Sequence, residues 1–441
     1  MKAQILMKDA LVRGKINGVI HGKGTLHFLY VVSKPAIKYN EGSIYCNRCH
    51  YPISPKEGNL QIKEMFFCPY CLSFGRLTTN DYIYYLPFHP ILKGRHYLEW
   101  SGQLSIFQKK ISDQLVKHCL KEKELMVYAV TGAGKTEVIF AYIDQLLYLG
   151  CRVAYVAPRI DVVLEIGERL RQAFPTLDIP ILYKGHRAHR FCRLYASTVH
   201  QLVHFHHCFD VIIIDEVDAY PYYGNPYLEH LVHKALTPTG QRLYLSATLT
   251  EAFAVKIKTM PVFYLSIRYH QFPLPVPKIV FLWNSDHYYY TKYPPMILEE
   301  KIKRRQRPIL FFVPSTYQLK AMYHQLCRWF PKLNITSVYS QDPLREEKIK
   351  KMRQTPYDIL ITTTILERGV TFKNIDVYIF NAHHQRFTRQ VLVQISGRAG
   401  RKKEAPKGEV IWFSTGWTKE MKEALRLIKK ANKEREELID E

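Results

Sequence analysis

The residues AVTGAGKTE (129–137) follow an apolar run, MVYAV (126–130), and open an amphipathic stretch. Gly132 and Gly134 carry no Cβ, so backbone N–H groups at a helix start can approach phosphate oxygens closely. With Thr131 and Ala133 they form a loop from which Lys135 reaches the β- and γ-phosphates while the Thr136 hydroxyl ligates Mg²⁺. That is nucleoside triphosphate chemistry, and ATP with Mg²⁺ is the expected cofactor pair. Ala129 stands where glycine usually opens the pattern, a minor departure. Downstream, VIIIDEVD (211–218) ends an apolar strand in carboxylates, at the strand tip where open α/β sheets bind ligands. Asp215 is expected to hold Mg²⁺ through water, and Glu216 to position and polarise the attacking water. An acidic helix-capping turn would explain one carboxylate, but not a cluster behind a phosphate loop. QISGRAGR (394–401) begins at Gln394 and sets Arg398 and Arg401 three apart, expected on one helix face, where they can stabilise charge on a γ-phosphate in the transition state. Two surface arginines are the plainer alternative.

A second constellation is CNRC (46–49) with CPYC (68–71), a C-x2-C-x18-C-x2-C spacing in which Cys46, Cys49, Cys68 and Cys71 offer four thiolates to one tetrahedral Zn²⁺. Four filled positions make the site closed and structural. His50 would be a fifth ligand and is not needed. The other five cysteines, Cys119, Cys151, Cys192, Cys208 and Cys327, are scattered and read as buried thiols. HFHHC (204–208) lacks a second half and reads as a packed or solvated loop rather than a metal tract. KGHRAHRFCR (184–193) is basic enough to meet phosphate, or is a solvated loop; the residues do not choose.

Elements must position these groups. RVAYVAP (152–158), DVIIIDE (210–216) and QRLYLSAT (241–248) are short apolar runs separated by amphipathic stretches, the pattern of a parallel sheet covered on both faces. A second series of like construction follows in RPILFFVP (307–314), NITSVYS (334–340), YDILITTT (357–364), IDVYIFNA (375–382) and EVIWFST (409–415). Between them, the Pro- and Tyr-rich 272–295 reads as a connection whose tyrosines pack rather than stack on bases. TTNDYIYYLP (78–87) reads as a strand, Leu26–Val32 as a β-rich stretch, and Met421, Leu425 and Ile428 as the apolar stripe of a terminal helix. The expected division is therefore a β-rich extension (1–42), the cysteine module (43–75), a connecting segment (76–100), a first lobe (101–271), a linker (272–295), a second lobe (296–418) and an amphipathic helix (419–441).

Composition is that of a folded globular chain, with 47% hydrophobic and 23% charged residues among 441. Against 39 acidic residues stand 63 Lys and Arg, and of the net +24, residues 286–418 carry +12. That concentration favours a face lying against phosphates. No apolar run approaches the ~18 residues of a membrane span, and MKAQILMKDALVRG lacks a secretory apolar core, so a cytoplasmic chain is expected.

Taken in order, LSIFQ (104–108), TGAGKT, APR (157–159), STVHQL (197–202), DEVD, SAT (246–248), FFVPS (311–315), TTTILERGVTF (362–372) and QISGRAGR resemble the motifs of superfamily 2 helicases. The resemblance implies an α/β fold of two RecA-like lobes with parallel sheets behind the zinc-ribbon module. It implies Gln108 as the adenine reader, Arg159, Thr198, Thr364 and Arg368 in a nucleic-acid cleft, Gly369 on the ATP-side coupling loop, and arginines that meet the γ-phosphate only when the lobes close. Together with the preceding cysteines, TGAGKTE, APRIDV, IIDEVDAYP and TTILERGVTF are similar to the ComFA family of DNA-uptake ATPases from transformable Gram-positive bacteria, from about residue 44 to the terminal helix. That likeness implies a peripheral motor at the inner membrane face that helps draw single-stranded DNA through the ComEC channel beside ComFC and DprA; a homo-oligomer is compatible with it. Two rivals stay open: an adaptor with inactive lobes, against which the intact Lys135, Glu216, Arg398 and Arg401 argue, and a restart or repair helicase related to PriA, whose zinc cysteines lie inside the helicase core of a longer chain.

Overall fold

The computed structural model describes residues 4–8, 32–40, 43–54, 65–87, 91, 93–186, 192–248, 255–367, 370, 372–400 and 406–440. Arg368, Gly369 and Arg401 lie outside the described residues, as do Leu26–Tyr30 and 187–191. The chain divides into two compact units. One comprises Met1–Gln103, Lys109–Val127 and Thr136–Phe263; the other comprises Leu104–Gln108, Tyr128–Lys135 and Tyr264–Glu441.

The strands and helices up to residue 265 are β1 (Gln4–Lys8), β2 (Val32–Pro35), β3 (Ile37–Asn40), β4 (Ser43–Cys46), β5 (Pro52–Ile53), β6 (Tyr82–Pro87) and α1 (Ile106–Lys117). Then come β7 (Glu124–Ala129), α2 (Lys135–Val138), α3 (Phe140–Tyr148), β8 (Val153–Ala157), α4 (Ile160–Ala173), β9 (Ile181–Leu182) and β10 (Leu194–Thr198). The series ends with β11 (Phe205–His206), β12 (Phe209–Ile214), α5 (Pro226–Ala235), β13 (Leu236–Ser246) and β14 (Val262–Leu265).

Among the described residues, a seven-stranded sheet runs β14-β7-β13-β12-β8-β10-β9. β8, β9, β10, β12 and β13 pair in parallel. All of β8 and β10 is buried, which is why these strands read as continuous apolar runs rather than alternating ones. Two antiparallel sheets precede it: β3-β4-β5, which carries the first two cysteines, and β11-β1-β6-β2, which ties the chain start to the strand expected at 78–87. The histidine tract 204–208 is thus partly strand, and Cys208 is buried.

The second unit continues with β15 (Lys278–Phe281), α6 (Met296–Lys303), β16 (Ile309–Phe312), α7 (Thr316–Trp329), β17 (Ile335–Val338) and α8 (Arg345–Gln354). It closes with β18 (Ile359–Thr362), β19 (Asp376–Phe380), α9 (Arg389–Ser396), β20 (Val410–Ser414) and α10 (Lys419–Asp440). Its sheet, β15-β20-β19-β16-β18-β17, is parallel throughout. The stretch 272–295 is therefore more than a connection, because KIVF pairs with Ile411–Ser414 as an edge strand. On α10 the buried stripe is Met421, Ala424 and Ile428, with Leu425 half-buried at its margin. Among the described residues no helix is long and apolar enough to cross a membrane.

Candidate functional site

The phosphate loop leaves the tip of β7. Gly132 and Gly134 adopt φ of +85° and +78°, the left-handed region that a side chain would oppose. A Cβ on Gly132 would lie 3.0 Å from Arg268 Nε, so the missing side chain also makes room for a buried cation. Arg268 donates to the carbonyls of Gly397 and Ala399, both at 3.2 Å, inside the same compact unit. A Cβ on Gly397 would stand 2.8 Å from Thr131 Cβ. Gln108 is buried; its Nε2 donates to Ala133 O at 2.8 Å and its Oε1 accepts from Ser105 N at 2.9 Å. One amide hydrogen and one lone pair remain for a base, so Gln108 braces the loop whatever else it reads. Thr136 is buried and Lys135 half-buried at the start of α2.

Asp215 and Glu216 follow β12. Asp215 Oδ2 accepts from the Tyr155 hydroxyl at 2.9 Å, and its Oδ1 accepts from the Glu216 amide at 2.8 Å. Tyr155, wholly buried on β8, is also a hydrogen-bond neighbour of Thr136. Burial, reinforced by the Asp215 carboxylate, pushes its hydroxyl well above the usual tyrosine range, so it stays a proton donor. One phenol thus links the two groups assigned to Mg²⁺. Glu216 has a φ of +51°, a strained backbone for a non-glycine residue of the kind that clusters at working sites. Asp218 accepts from Ser246 Oγ at 2.9 Å and from the Thr248 hydroxyl, joining this acidic turn to the end of β13.

Arg398 lies beyond the end of α9 rather than on it, and its expected companion Arg401 lies outside the described residues. α9 ends at Ser396 because Gly397 caps it, and Gly400 turns left-handed at φ +61°, where a Cβ would meet Pro406 O at 2.2 Å. Buried Arg398 donates from Nε to Glu367 O at 2.9 Å, and Gln394 is buried on α9. The residues expected on the nucleic-acid side sit at strand tips. Arg159 caps α4 just beyond β8, and Thr198 ends β10, whose register pairs it with Ala157. Thr364 opens a 3-10 turn beyond β18.

The four cysteines are buried, and their sulfurs lie within 4.8 Å of one another. Cys46–Cys71 and Cys49–Cys68 are separated by 3.8 and 3.6 Å, against a tetrahedral edge of ~3.8 Å for bonds of ~2.3 Å. The set fits Zn²⁺. His50 turns its Nε2 to Asn47 O instead, at 3.1 Å. Buried Arg48 donates to Cys71 O at 2.8 Å and Gly75 O at 2.7 Å, bringing positive charge to offset thiolates.

The module is seated on one face of α5, through residues spaced i, i+3 and i+7. Tyr227 Oη donates to Tyr70 O at 3.2 Å, His230 Nε2 lies 3.0 Å from Cys49 O, and Lys234 Nζ donates to Arg48 O at 2.7 Å and Val203 O at 2.8 Å. Desolvation lowers the Lys234 ammonium to about 8 despite the nearby thiols. Elsewhere, burial pushes Cys119 and Cys151 up to about 12, so they are unreactive packing groups. Tyr155, Arg268 and the α5 face are absent from any motif reading; the Tyr227, His230 and Lys234 spacing was the one available signal.

Residues 109–255 match the family model described as DEAD/DEAH box helicase, and residues 294–403 match the helicase conserved C-terminal domain. With a phosphate loop and an acidic strand tip on parallel sheets, the chain is an ATPase of helicase superfamily 2, a class that uses ATP and Mg²⁺. Competence protein ComFA of Streptococcus pneumoniae is 36% identical over 407 residues, spanning 91% of this chain and 93% of that protein. Competence protein ComFA of Bacillus subtilis is 36% identical over 417 residues, spanning 91% and 89%. The chain belongs to the ComFA family. Among solved structures, S. cerevisiae Dbp5 bound to RNA and ADP BeF3 has a TM-score of 0.55 at 15% identity, covering 74% of this chain and 91% of that one, a likeness of fold alone.

Proposed function

We propose that this competence-associated, helicase-like ATPase is a translocase that binds single-stranded DNA and drives its uptake into the cytoplasm during transformation. The observation that carries this reading is the division of labour along one sheet edge. β12 ends in Asp215 and Glu216, while the paired β8 and β10 end in Arg159 and Thr198. Hydrolysis and strand binding thus occupy separate tips of a rigid frame.

In this reading Thr131, Gly132, Ala133 and Gly134 cradle the phosphates, Lys135 neutralises them, Thr136 and Asp215 hold Mg²⁺, and Glu216 acts on the attacking water. Gln394, Arg398 and Arg401 answer the transition-state charge, and Gly369 couples the sites. Arg159, Thr198, Thr364 and Arg368 meet the DNA backbone. Cys46, Cys49, Cys68 and Cys71 hold one Zn²⁺ that builds a docking surface. The motor works at the inner membrane face beside ComFC, DprA and the ComEC channel. No particular of the structure favours a PriA-like task. Steady-state ATP hydrolysis measured with single-stranded DNA, duplex DNA and RNA in parallel tests the reading. Single-stranded DNA should stimulate most; equal or greater stimulation by RNA would overturn it.

A further inference from the structure

The carboxyl edge of the second unit's sheet carries aromatic side chains that its fold does not use. Trp283, two residues past β15, is 93% exposed, Tyr317 in the first turn of α7 is 71% exposed, and Tyr290 is 63% exposed. Tyr290 Oη donates to Tyr317 Oη at 3.1 Å, so the two side chains meet at their tips. Trp417, beyond β20, meets Phe281 at the end of β15 with ring centroids 6.1 Å apart. Tyr289, by contrast, is buried against Phe380, so the tyrosine run 288–290 contains both packing and presented rings. Exposed aromatics grouped at one edge mark a contact surface.

The charges around them select the partner. Residues 281–330 contain three carboxylates, Asp286, Glu299 and Glu300. Each is already engaged: Asn381 Nδ2 donates to Asp286 at 2.6 Å, and Glu299 and Glu300 on α6 pair with Lys303 and with Arg304 just past its end. α7 holds no acidic residue and exposes Tyr317, Lys320, His324 and Arg328 at i, i+3, i+7 and i+11, one face of the helix. Lys292 Nζ lies over the Tyr293 ring at 5.4 Å. Flat rings beside cations, with neighbouring carboxylates neutralised, suit a strand of unpaired bases on a phosphate backbone. Thr364, at the tip of β18, shares this sheet edge.

We infer that Trp283, Tyr290 and Tyr317 form a stacking platform for the bases of single-stranded nucleic acid, with Lys320 and Lys292 tracking its phosphates. The inference rests on the single-stranded DNA reading above and adds how the strand is gripped. Stacking is indifferent to base identity, which suits a motor that must pass any sequence.

The test uses the full-length protein and two fluorescein-labelled oligonucleotides of equal length, oligo(dT) and a wholly abasic strand of the same charge, with binding read by anisotropy. Wild type should prefer oligo(dT). Tyr317→Ala and Trp283→Ala should each weaken oligo(dT) binding roughly 5-fold or more while leaving abasic binding unchanged, and Tyr317→Phe should retain the preference. Lys320→Ala should weaken both strands alike. Circular dichroism melts identify folded variants, and Trp283→Ala serves if Tyr317→Ala misfolds. Equal binding of both strands by wild type, or equal losses on both in Tyr317→Ala, would overturn the platform while sparing the DNA reading. Unchanged DNA binding with loss of a protein partner would overturn it in favour of protein docking. No oligo(dT) binding by wild type would overturn the functional reading itself.

Discussion

Two parts of the first unit hold charge in opposite ways. The cysteine module is closed: four buried thiols face one another, buried Arg48 adjoins them, and its outer wall is seated on α5. The tips of β8 and β12 are open: Asp215 is fixed by Tyr155 and by the next amide, and Glu216 sits on a left-handed backbone just beyond. In the first, the ligands satisfy one another and the outcome is structure. In the second, the hydrogen bonds from Tyr155 and from the next amide aim the Asp215 carboxylate, at the strand tip where ligands of open α/β sheets bind. A closed site should therefore answer mutation with loss of metal and local order, and an open one with loss of rate.

The sharpest break would come from the open site. Lys135→Ala and Glu216→Gln are each expected to lower ATP turnover by about 10³-fold or more, the scale of losing a group that acts on the transferred phosphoryl. DNA affinity should stay near wild type, because Arg159 and Thr198 occupy other strand tips. An equal fall in DNA affinity in a folded Glu216→Gln protein would show that the two tips are one site.

The closed site should respond differently. Cys46→Ser is expected to abolish bound zinc, since structural zinc contributes on the order of 10 kcal/mol to folding a short segment with little core of its own. Amide exchange over 43–54 and 65–75 should rise, with basal ATP turnover largely kept. Metal analysis of native protein returning no zinc, or full ATPase loss in a stable Cys46→Ser protein, would erase the contrast.

How much of this was legible tracks how local each signal is. The buried strands could be read because parallel strands covered on both faces must be continuously apolar, and the cysteines because two knuckles each need ligands three apart. The seat of the module on α5 was not legible, since it joins Arg48 to Lys234 across 186 residues. Tyr155 reads as one more apolar position of β8; only its register beside β12 reveals that its hydroxyl reaches Asp215. β15 was hidden by the prolines before it and the tyrosines after it. The helix expected through Arg398 was an avoidable misreading, because Gly397 and Gly400 mark its end.

A subtler test of the open site is Tyr155→Phe, which removes one hydroxyl and leaves the buried ring. Groups that orient metal ligands typically set affinity by about 10- to 100-fold. The apparent Mg²⁺ constant for ATP hydrolysis should rise about 10-fold, with the rate at saturating Mg²⁺ changing less. A lower saturated rate with unchanged Mg²⁺ dependence would make Tyr155 a packing residue only.

The smallest effect concerns pH and the surroundings of the phosphate loop. Tyr269 N donates to Gly132 O at 3.3 Å, and the adjacent His270 Nε2 lies 3.0 Å from Gly400 O. Burial, with the Arg268 guanidinium beside it, lowers His270 to about 4 from the ordinary 6.5. The closed site gathers cations beside its thiols; here burial and the Arg268 guanidinium disfavour a second cation at His270. The sign follows from proton counting. As pH falls below 6.5 the unfolded chain binds a proton at His270 that the folded chain does not take until about 4, so stability should fall across that window. His270→Gln keeps a donor for Gly400 and removes the titration. Its urea midpoint should fall less than that of wild type between pH 6.5 and 4. Parallel curves for the two proteins would mean that His270 is protonated as easily in the fold as in water, and that the loop tolerates more charge than the comparison allows.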